Sequence, residues 1–455
     1  MNIFTLWASS NRLVGSILSV ILCIGIALPT SSLAAASQWQ TFKGSADRNA
    51  VTTDAFPMHL SLTWQHRLPA TITASPIVSG DTLLAATDNG VLYAFSLSQK
   101  HLLWAFDSGG AIRSTPAVNE GKVYFLSQAG AFFALDLNDG AMQWRFQTQG
   151  EATFSAFNYL GVSNNELVED AWDLLQSSPL VVDDLIVFGS SDQHVYALDA
   201  ETGNVRWAFK TGGQVHSAPT LLDDLIIVGS WDSTVYALQK SDGAMRWKFE
   251  TGAEQKFNVW RGIQASPTVV DGDVFIGSRD GFMYALAGET GKEIWRYDMK
   301  RSWVVPTVSV DDSHVYLGTS DTGLMLALDR ETGVEVWRAP TGSWTYSSPL
   351  VFKDVVLTGT MTGRLIALDK LTGEIRWESR HGAHVNDIYQ ILGEDERLRQ
   401  NMSNGTWQDS FYGVMARVLA SGGFMSSPAW VNQQLIIFST HGEIMIWEDQ
   451  VSEAR

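Results

Sequence analysis

The chain has 455 residues, of which 45% are hydrophobic and 18% are charged, a composition typical of a folded protein and not of a disordered one. Its formal net charge is −18, and no basic run offsets it, so we expect neither nucleic acid nor anionic lipid as a partner. The only cysteine is Cys23. Because the rest of the chain has no cysteine, disulfides, haem c attachment, cysteine catalysis and Cys-based zinc sites are excluded there.

Residues 1–36 are predicted to be a cleaved signal peptide. One arginine precedes an apolar stretch from Leu13 to Leu28, and a small-residue cleavage site follows at Ala34–Ala36. The alternative is an uncleaved membrane anchor, but an apolar stretch of about 16 residues is short for a membrane span. Cys23 follows a leucine, so no lipoprotein cleavage site is expected there. The sequence predicts a periplasmic mature protein, residues 37–455, with no stable membrane span.

A phrase ending in Thr-Gly-x-x-x-Trp, as in residues 196–207, recurs along the mature chain. Successive closing tryptophans are 40, 40, 63, 40, 48, 42 and 40 residues apart. A small-small-Pro phrase precedes the tryptophan by 28 residues in six of seven units, and by 31 residues in the unit of Pro306. A constant offset within a variable spacing indicates one copied structural unit with a period near 40, which is typical of propellers. The closing tryptophans are Trp64, Trp104, Trp144, Trp207, Trp247, Trp295, Trp337 and Trp377.

Each unit predicts one four-stranded blade. Residues 177–211 contain three short apolar runs and one alternating run, separated by Gly, Asp and Thr-Gly clusters. Gly203 permits the tight turn before the fourth strand. We expect Trp207 to dock its ring on the neighbouring blade, where a buried indole removes about 150–250 Å² from water. The sequence therefore predicts an all-β fold, an eight-bladed β-propeller of four-stranded antiparallel blades.

The two ends of the repeat region predict how the ring closes. Trp64 has no three strands of its own before it, whereas the last unit, from Pro428 onward, lacks a fourth strand. The N-terminal strand should therefore complete the last blade, which also hides the edges of that sheet.

Extra residues concentrate in three connections between a fourth strand and the next first strand, at about 150–176, 253–264 and 378–424. These connections open on one face of a propeller, and insertions confined to one face often mark the binding face. The apolar spacing predicts amphipathic helices over Asn165–Gln176 and Val385–Arg399. They either cap the central channel or pack on the rim.

Two sets of side chains mark this face as the candidate binding surface, and no catalytic set or metal-ligand set is recognisable. The residue three places before each proline should ring the channel mouth, and it varies within an otherwise regular repeat. These residues are Thr73, Arg113, Gln176, His216, Gln264, Trp303, Tyr346 and Met425. If a ligand pocket exists, we expect its lining to include Arg113, Gln176, His216, Gln264, Trp303 and Tyr346. Aromatic residues suit protein interfaces, and the six tryptophans predicted on this face are Trp172, Trp231, Trp260, Trp303, Trp344 and Trp407.

The Ala-Leu-Asp-x-x-Thr-Gly-x-x-x-Trp phrase resembles the repeat of quinoprotein-type eight-bladed propellers. The opening residues Trp39 to Gly44 are similar to the start of many such chains, and the resemblance covers residues 39–449. It implies one of two branches. The first contains dehydrogenases that use pyrroloquinoline quinone (PQQ), commonly with calcium, and the second contains non-enzymatic propellers such as the outer-membrane assembly factor BamB.

The resemblance favours the BamB-like branch. Many alcohol-oxidising members of the first branch place an adjacent disulfide-bonded cysteine pair at the cofactor, and the mature chain has no cysteine. No Glu/Asn/Asp calcium set is recognisable either. BamB-like chains are typically lipoproteins, and in this respect the present chain departs from that branch.

The leading hypothesis is a monomeric periplasmic scaffold that binds protein partners in the cell envelope, for outer-membrane protein assembly or envelope biogenesis, without a cofactor. The alternative is a PQQ-dependent dehydrogenase, with calcium, or another ligand-binding quinoprotein-like enzyme that uses the channel mouth. A third hypothesis is the binding of an envelope glycan, for which exposed tryptophans would be stacking platforms.

Overall fold

Short antiparallel strands make up nearly all of the regular structure. This computed structural model describes residues 38–159, 166–253, 258–399, 401–406 and 408–450, which belong to one compact unit. The predicted signal peptide and Trp407 lie outside the described residues.

The strands of the described residues, in chain order, are β1 (Leu60–Arg67), β2 (Ile77–Ser79), β3 (Thr82–Ala86), β4 (Val91–Ser96), β5 (Leu102–Asp107), β6 (Ala117–Asn119), β7 (Lys122–Leu126), β8 (Ala131–Asp136), β9 (Met142–Gln147), β10 (Ser155–Phe157), β11 (Leu167–Glu169), β12 (Leu180–Val182), β13 (Leu185–Gly189), β14 (His194–Asp199), β15 (Val205–Lys210), β16 (Thr220–Leu222), β17 (Leu225–Gly229), β18 (Thr234–Gln239), β19 (Met245–Glu250), β20 (Thr268–Val270), β21 (Asp273–Gly277), β22 (Phe282–Ala287), β23 (Lys292–Asp298), β24 (Ser309–Val310), β25 (His314–Gly318), β26 (Leu324–Asp329), β27 (Glu335–Pro340), β28 (Leu350–Val351), β29 (Val355–Gly359), β30 (Arg364–Asp369), β31 (Ile375–Arg380), β32 (Ala429–Val431), β33 (Gln434–Phe438) and β34 (Glu443–Asp449).

Thirty-two of these strands form eight four-stranded antiparallel sheets, which confirms the predicted eight-bladed propeller. Blades 1 to 7 each use four consecutive strands, in the order β2–β5, β6–β9, β12–β15, β16–β19, β20–β23, β24–β27 and β28–β31. Blade 8 has the order β1-β34-β33-β32, so the N-terminal strand completes the last blade as predicted. Leu60 pairs with Asp449 and Arg67 with Glu443 along this closing ladder.

Helical structure is scarce, and both predicted helices are wrong. Residues 167–169 form β11, which pairs with β10 in a separate hairpin, and residues 170–176 are irregular. The segment 385–399 contains turns and one isolated bridge. Apolar residues at helical spacing in these segments face several different packing partners instead of one stripe, and those tertiary contacts decide the backbone. The helical turns of the described residues are Phe42–Gly44, Gly382–His384, Asp409–Gly413 and the α-helix α1, Val414–Leu419.

None of the helices in the described residues is long and apolar enough to cross a membrane.

A tryptophan-on-glycine contact joins consecutive blades. The indole N–H of Trp207 donates to the carbonyl of Lys240 in the next blade at 2.8 Å. Its ring lies against Gly243, which has φ +72°, and a Cβ built on this glycine would be 2.6 Å from the indole. The same pairing of a closing tryptophan with the next blade's carbonyl and glycine recurs for Trp104, Trp144, Trp247, Trp295 and Trp337.

The contact at Trp64 departs from this pattern. The position of the glycine is taken by Lys100, which still adopts a positive φ of 55°. Its ammonium nitrogen lies 5.5 Å from the centroid of the Trp64 ring, so a cation–π contact replaces the packing on glycine.

The N-terminal segment, residues 39–54, runs around the inside of the ring and contacts every blade. Its two buried cationic side chains are Lys43 and Arg48, and burial lowers the pKa of both, that of Arg48 to about 9. Hydrogen bonds join Trp39 to Val78, Gln40 to Val118, Arg48 to Pro179, Ala46 to Leu221, Asp47 to Val269, Asn49 to Val310, Ala50 to Val351 and Asp54 to Trp430.

A ring of hydroxyl groups lines the channel just inside its mouth. In each link, a backbone N–H of one blade donates to a Ser or Thr hydroxyl of the next, as from Thr307 to Ser348 at 3.0 Å. One link is missing, because Ala218 offers no hydroxyl to Ser178 of the preceding blade. The hydroxyls that accept these bonds belong to Ser75, Thr115, Ser178, Ser266, Thr307, Ser348 and Ser427.

Gly243→Ala tests the tryptophan-on-glycine contact, with Gly272→Ala as its matched control. Both glycines have a positive φ, but a Cβ at Gly272 meets nothing within 4 Å. The control should lower the unfolding free energy by about 1–2 kcal/mol through backbone strain alone. Gly243→Ala should lower the unfolding free energy by about 1–3 kcal/mol more than the control does, because the ring of Trp207 must move. Equal losses in urea unfolding would show that the indole does not press on this position.

Ala218→Ser should supply the missing link of the hydroxyl ring. Ala218 lines a small cavity, so there is room for the added oxygen. We expect an increase in the unfolding free energy of about 0.5–1.5 kcal/mol, the usual net value of one hydrogen bond. Ser348→Ala, which removes an existing link, should produce a loss of about the same size or larger. Thermal and urea unfolding measure both, and a destabilising Ala218→Ser would contradict the assignment of a vacant link.

Candidate binding face and channel mouth

The three longest connections between blades open on one face, which we call the insertion face. They span residues 148–179, 251–267 and 381–428, and each joins a fourth strand to the next first strand. The first carries the β10–β11 hairpin and the third carries α1. The channel mouth lies at the centre of this face, where the first strands begin.

Five of the six predicted pocket residues line one cavity at the channel mouth: Arg113, Gln176, His216, Gln264 and Tyr346. Thr73 and Met425 line it as well. The cavity offers only about 40 Å³ to water-sized molecules, which is room for roughly three waters. The Tyr346 hydroxyl and the Gln176 amide nitrogen are buried without a hydrogen-bond partner among the described residues, so ordered water at this place would satisfy both.

Trp303 was predicted to belong to this ring, and that prediction is wrong. Thr307 occupies the position that Ser266 and Ser348 hold in the neighbouring blades. Its hydroxyl accepts a hydrogen bond from the backbone N–H of Ser266, and its own backbone N–H donates to the hydroxyl of Ser348. The unit of Pro306 is therefore displaced by two residues, and Val305 lines the cavity instead.

A buried ion pair fills the space beside the cavity. The guanidinium of Arg279, from the turn before β22, contacts the carboxylate of Asp170 from the first insertion, and both side chains are fully buried. Tyr159 completes the pair, since its hydroxyl donates to Asp170 at 2.8 Å and accepts from Arg279 at 2.9 Å. The guanidinium carbon lies 3.9 Å and 4.8 Å from the ring centroids of Trp303 and Trp231, respectively.

A second buried pair joins His216 to Asp173 of the same insertion, with 2.8 Å between Nδ1 and Oδ1. The other ring nitrogen lies 2.7 Å from the hydroxyl of Ser191, which donates to Glu151. Burial lowers the pKa of His216, but Asp173 and Glu151 raise it more, so the pKa stands above its ordinary value. Gln264 bridges the two pairs, because it donates to Asp173 at 3.0 Å and accepts from Arg279 at 3.2 Å.

Sequence reasoning missed Ser191 and Arg279 at the channel mouth and predicted Trp231 to be exposed, although one signal was present. The residue two places after the end of each second strand varies as widely as the channel ring does. It is Ser191, Trp231, Arg279 and Met361 in blades 3, 4, 5 and 7. The partners Asp170 and Asp173 carry no such signal, because they lie in an insertion with no counterpart in the other units.

The five described tryptophans of the predicted partner face have different environments. Trp231 is only 1% exposed, so its predicted display to a partner is wrong: its ring stacks on Phe154 of the first insertion at 3.9 Å. Trp260 is half-buried, and its indole N–H donates to the carbonyl of Arg301. The remaining three, Trp172, Trp303 and Trp344, are half-buried around one groove.

This groove, which we call the tryptophan groove, has a volume of about 700 Å³. It lies between the channel rim of blades 6 and 7 and the third insertion. Trp172 and Trp344 meet edge to face, with centroids 4.5 Å apart and planes at 79°. The side chains that line it include Trp172, Trp303, Trp344, Asp321, Arg399 and Phe411.

The architecture defines a quinoprotein-type repeat propeller, and the comparisons with known proteins agree. The chain belongs to the family described as outer membrane protein assembly factor BamB, whose model matches residues 61–163, 162–276 and 256–449. The structure of BamB from Moraxella catarrhalis is similar with a TM-score of 0.62 at 17% identity, covering 86% of this chain and 98% of that chain.

Dehydrogenases are similar as well. A europium-containing methanol dehydrogenase matches with a TM-score of 0.68 at 15% identity, covering 90% of this chain and 98% of that chain. Quinohemoprotein alcohol dehydrogenase from Comamonas testosteroni has a TM-score of 0.66 at 15% identity, covering 90% and 80%. In sequence, quinohemoprotein alcohol dehydrogenase ADH-IIG from Pseudomonas putida is 28% identical over 158 residues, 26% of this chain and 22% of that protein. At these identities the structural likeness establishes the fold.

The channel mouth of this chain does not fit a tricyclic quinone. Sites for small organic ligands enclose about 300–1,000 Å³, whereas the cavity here is about 40 Å³. Leu175 and Gln176 of the first insertion line this cavity, and Gln264 in its wall is held by hydrogen bonds to Asp173 and Arg279. The described residues also contain no group of three or more His, Cys, Asp or Glu side chains placed to hold a metal ion.

His216→Gln should destabilise the protein more at acid than at alkaline pH. The folded-state pKa of His216 is raised, so the imidazolium stabilises the fold fully below its unfolded pKa of about 6.5 and loses this effect as the pH rises through the folded value. At about pH 5.5 we expect a loss of about 3–5 kcal/mol, because Asp173 is left buried without its partner. Urea unfolding at about pH 5.5 and pH 9 measures the difference, and a larger loss at pH 9 would contradict the ion pair.

Proposed function

We propose that this chain is a periplasmic propeller that binds protein partners through its insertion face and serves envelope protein assembly. The observation that carries this proposal is the filling of the channel mouth by the first insertion. A propeller whose axial site is occupied by its own buried ion pairs offers a partner its outer surface. The family's description as an outer membrane protein assembly factor supports the same role.

Exposed apolar side chains on the insertions give that surface its character. Phe157 and Leu167, on the β10–β11 hairpin, are 55% and 57% exposed. In the third insertion, Val385 and Ile388 are 73% and 63% exposed, and Tyr389 lies beside them. Aromatic and aliphatic side chains raised on loops above a rigid scaffold are the anchors that protein interfaces use.

The alternative function, a PQQ-dependent dehydrogenase, is supported by the partial sequence match to an alcohol dehydrogenase. It requires the channel mouth to admit the quinone, and calorimetric titration with PQQ and calcium separates the two functions. We expect no saturable binding by the mature protein. One-to-one binding that is lost on removal of calcium would replace the scaffold proposal with the enzyme.

Photo-crosslinking tests the proposed function directly. Benzoylphenylalanine replaces Phe157 or Ile388 on the insertion face in one pair of variants. In the control it replaces Leu371, which is 70% exposed in a turn on the opposite face. After irradiation of intact cells, the first two variants should give discrete crosslinked species that the control lacks. Identical patterns from all three positions would contradict a dedicated partner face.

A further inference from the structure

The tryptophan groove combines aromatic walls with a carboxylate that has no cationic partner. Asp321 is exposed at the groove and accepts hydrogen bonds from the Ser302 hydroxyl and from the backbone N–H of Trp303. Within the described part of the chain, no ion pair includes Asp321. The groove therefore presents one carboxylate without an ion-pair partner next to three half-buried indoles, and the other charged side chain in its lining is Arg399.

In the interior of the same protein, an indole and a carboxylate together hold a guanidinium. On one side of the groove wall, Trp303 already packs against a guanidinium, that of Arg279 at 3.9 Å, and Asp170 neutralises it. A similar contact occurs at the surface, where the guanidinium of Arg301 lies 4.7 Å from the ring of Trp260. Indole faces attract cations through the ring quadrupole, and arginine is the side chain that most often stacks on them.

The shape of the groove favours a polypeptide over a small cation. A second recess of about 210 Å³ continues from it and shares Asp321, Trp344 and Leu398 with it. Because both recesses include Trp344, they are adjacent, and two adjacent recesses suit an extended segment. The net charge of −18 also draws basic segments toward the surface.

We propose that the tryptophan groove captures an arginine or lysine side chain of a partner polypeptide, between the indoles of Trp303 and Trp344 and against the carboxylate of Asp321. This inference rests on the proposed protein-binding function and names the chemistry of the partner. It extends the role of the groove tryptophans from apolar anchors to walls of a cation site.

Arg399 allows the sign of the charge on the bound group to be tested. Its side chain is exposed at the same groove, where its Nε donates to the carbonyl of Leu392 at 2.6 Å. A cationic guest is attracted by Asp321 and repelled by Arg399, whereas an anionic guest experiences the reverse. Asp321→Asn and Arg399→Gln therefore shift the affinity in opposite directions, and the direction identifies the guest.

The probe is acetyl-arginine amide, and its control is acetyl-citrulline amide, which has nearly the same shape without the charge. Binding is followed by fluorine NMR of full-length mature protein labelled with fluorotryptophan, with Trp260 as the indole outside the groove. The arginine probe should shift the Trp303 and Trp344 signals saturably and bind at least about fivefold more tightly than the citrulline control. Asp321→Asn should weaken it about tenfold, and Arg399→Gln should strengthen it.

Equal affinities for the two probes, or tighter binding to Asp321→Asn, would overturn the proposal. Thermal unfolding of both variants, which change exposed side chains, verifies that the fold is intact. The crosslinking positions Phe157 and Ile388 do not line the groove. If Phe157 and Ile388 give crosslinks but the arginine probe does not bind, this inference is wrong and the proposed function still holds.

Discussion

The contact of an indole with a glycine of the next blade is the interaction on which the structure depends. It requires a positive φ and no Cβ at one position and a tryptophan at another, as in Gly243 and Trp207. The indole N–H fixes the distance between blades through a carbonyl of the neighbour. Repetition of this joint between six pairs of neighbouring blades sets their relative rotation. At the two remaining junctions Trp64 lies against Lys100 and Trp377 against Phe56, and the eight rotations close the ring. Closure then creates an axial channel that the chain has to fill.

The chain fills the channel from two directions, and this has functional consequences. Residues 39–54 contact every blade from inside the ring, and the first insertion places Asp170 and Asp173 at the mouth. Arg279 is the buried partner of Asp170, and His216 is the buried partner of Asp173. A buried ion pair contributes little net stability, but removal of one partner is strongly destabilising. The arrangement therefore specifies where the insertion sits, holds Trp231 inside and leaves Trp172, Trp303 and Trp344 around the groove.

The sequence alone predicts the features that repetition encodes. The offset between proline and tryptophan predicted the blades, and the incomplete ends predicted closure by β1. Seven of the eight predicted ring residues line the cavity at the channel mouth. Trp303 does not, because Pro306 sits two residues away from the position that the prolines of other units take. Features that occur once were not predictable. The helix predicted over Asn165–Gln176 fails because Val168 and Trp172 pack against partners far away in the chain, and local spacing carries no record of such partners.

Hydrogen exchange of the first insertion tests most directly the claim that the channel mouth is permanently filled. The amide of Phe154 donates to Asp173 at 2.6 Å and that of Trp172 to Asp170 at 2.8 Å. Because release of these amides requires both buried ion pairs to open, their opening free energy should approach that of the blade strands. Exchange at the rate of an exposed loop, while β13 and β14 stay protected, would mean that the insertion opens on its own. The channel would then be accessible to a ligand, which would contradict the account.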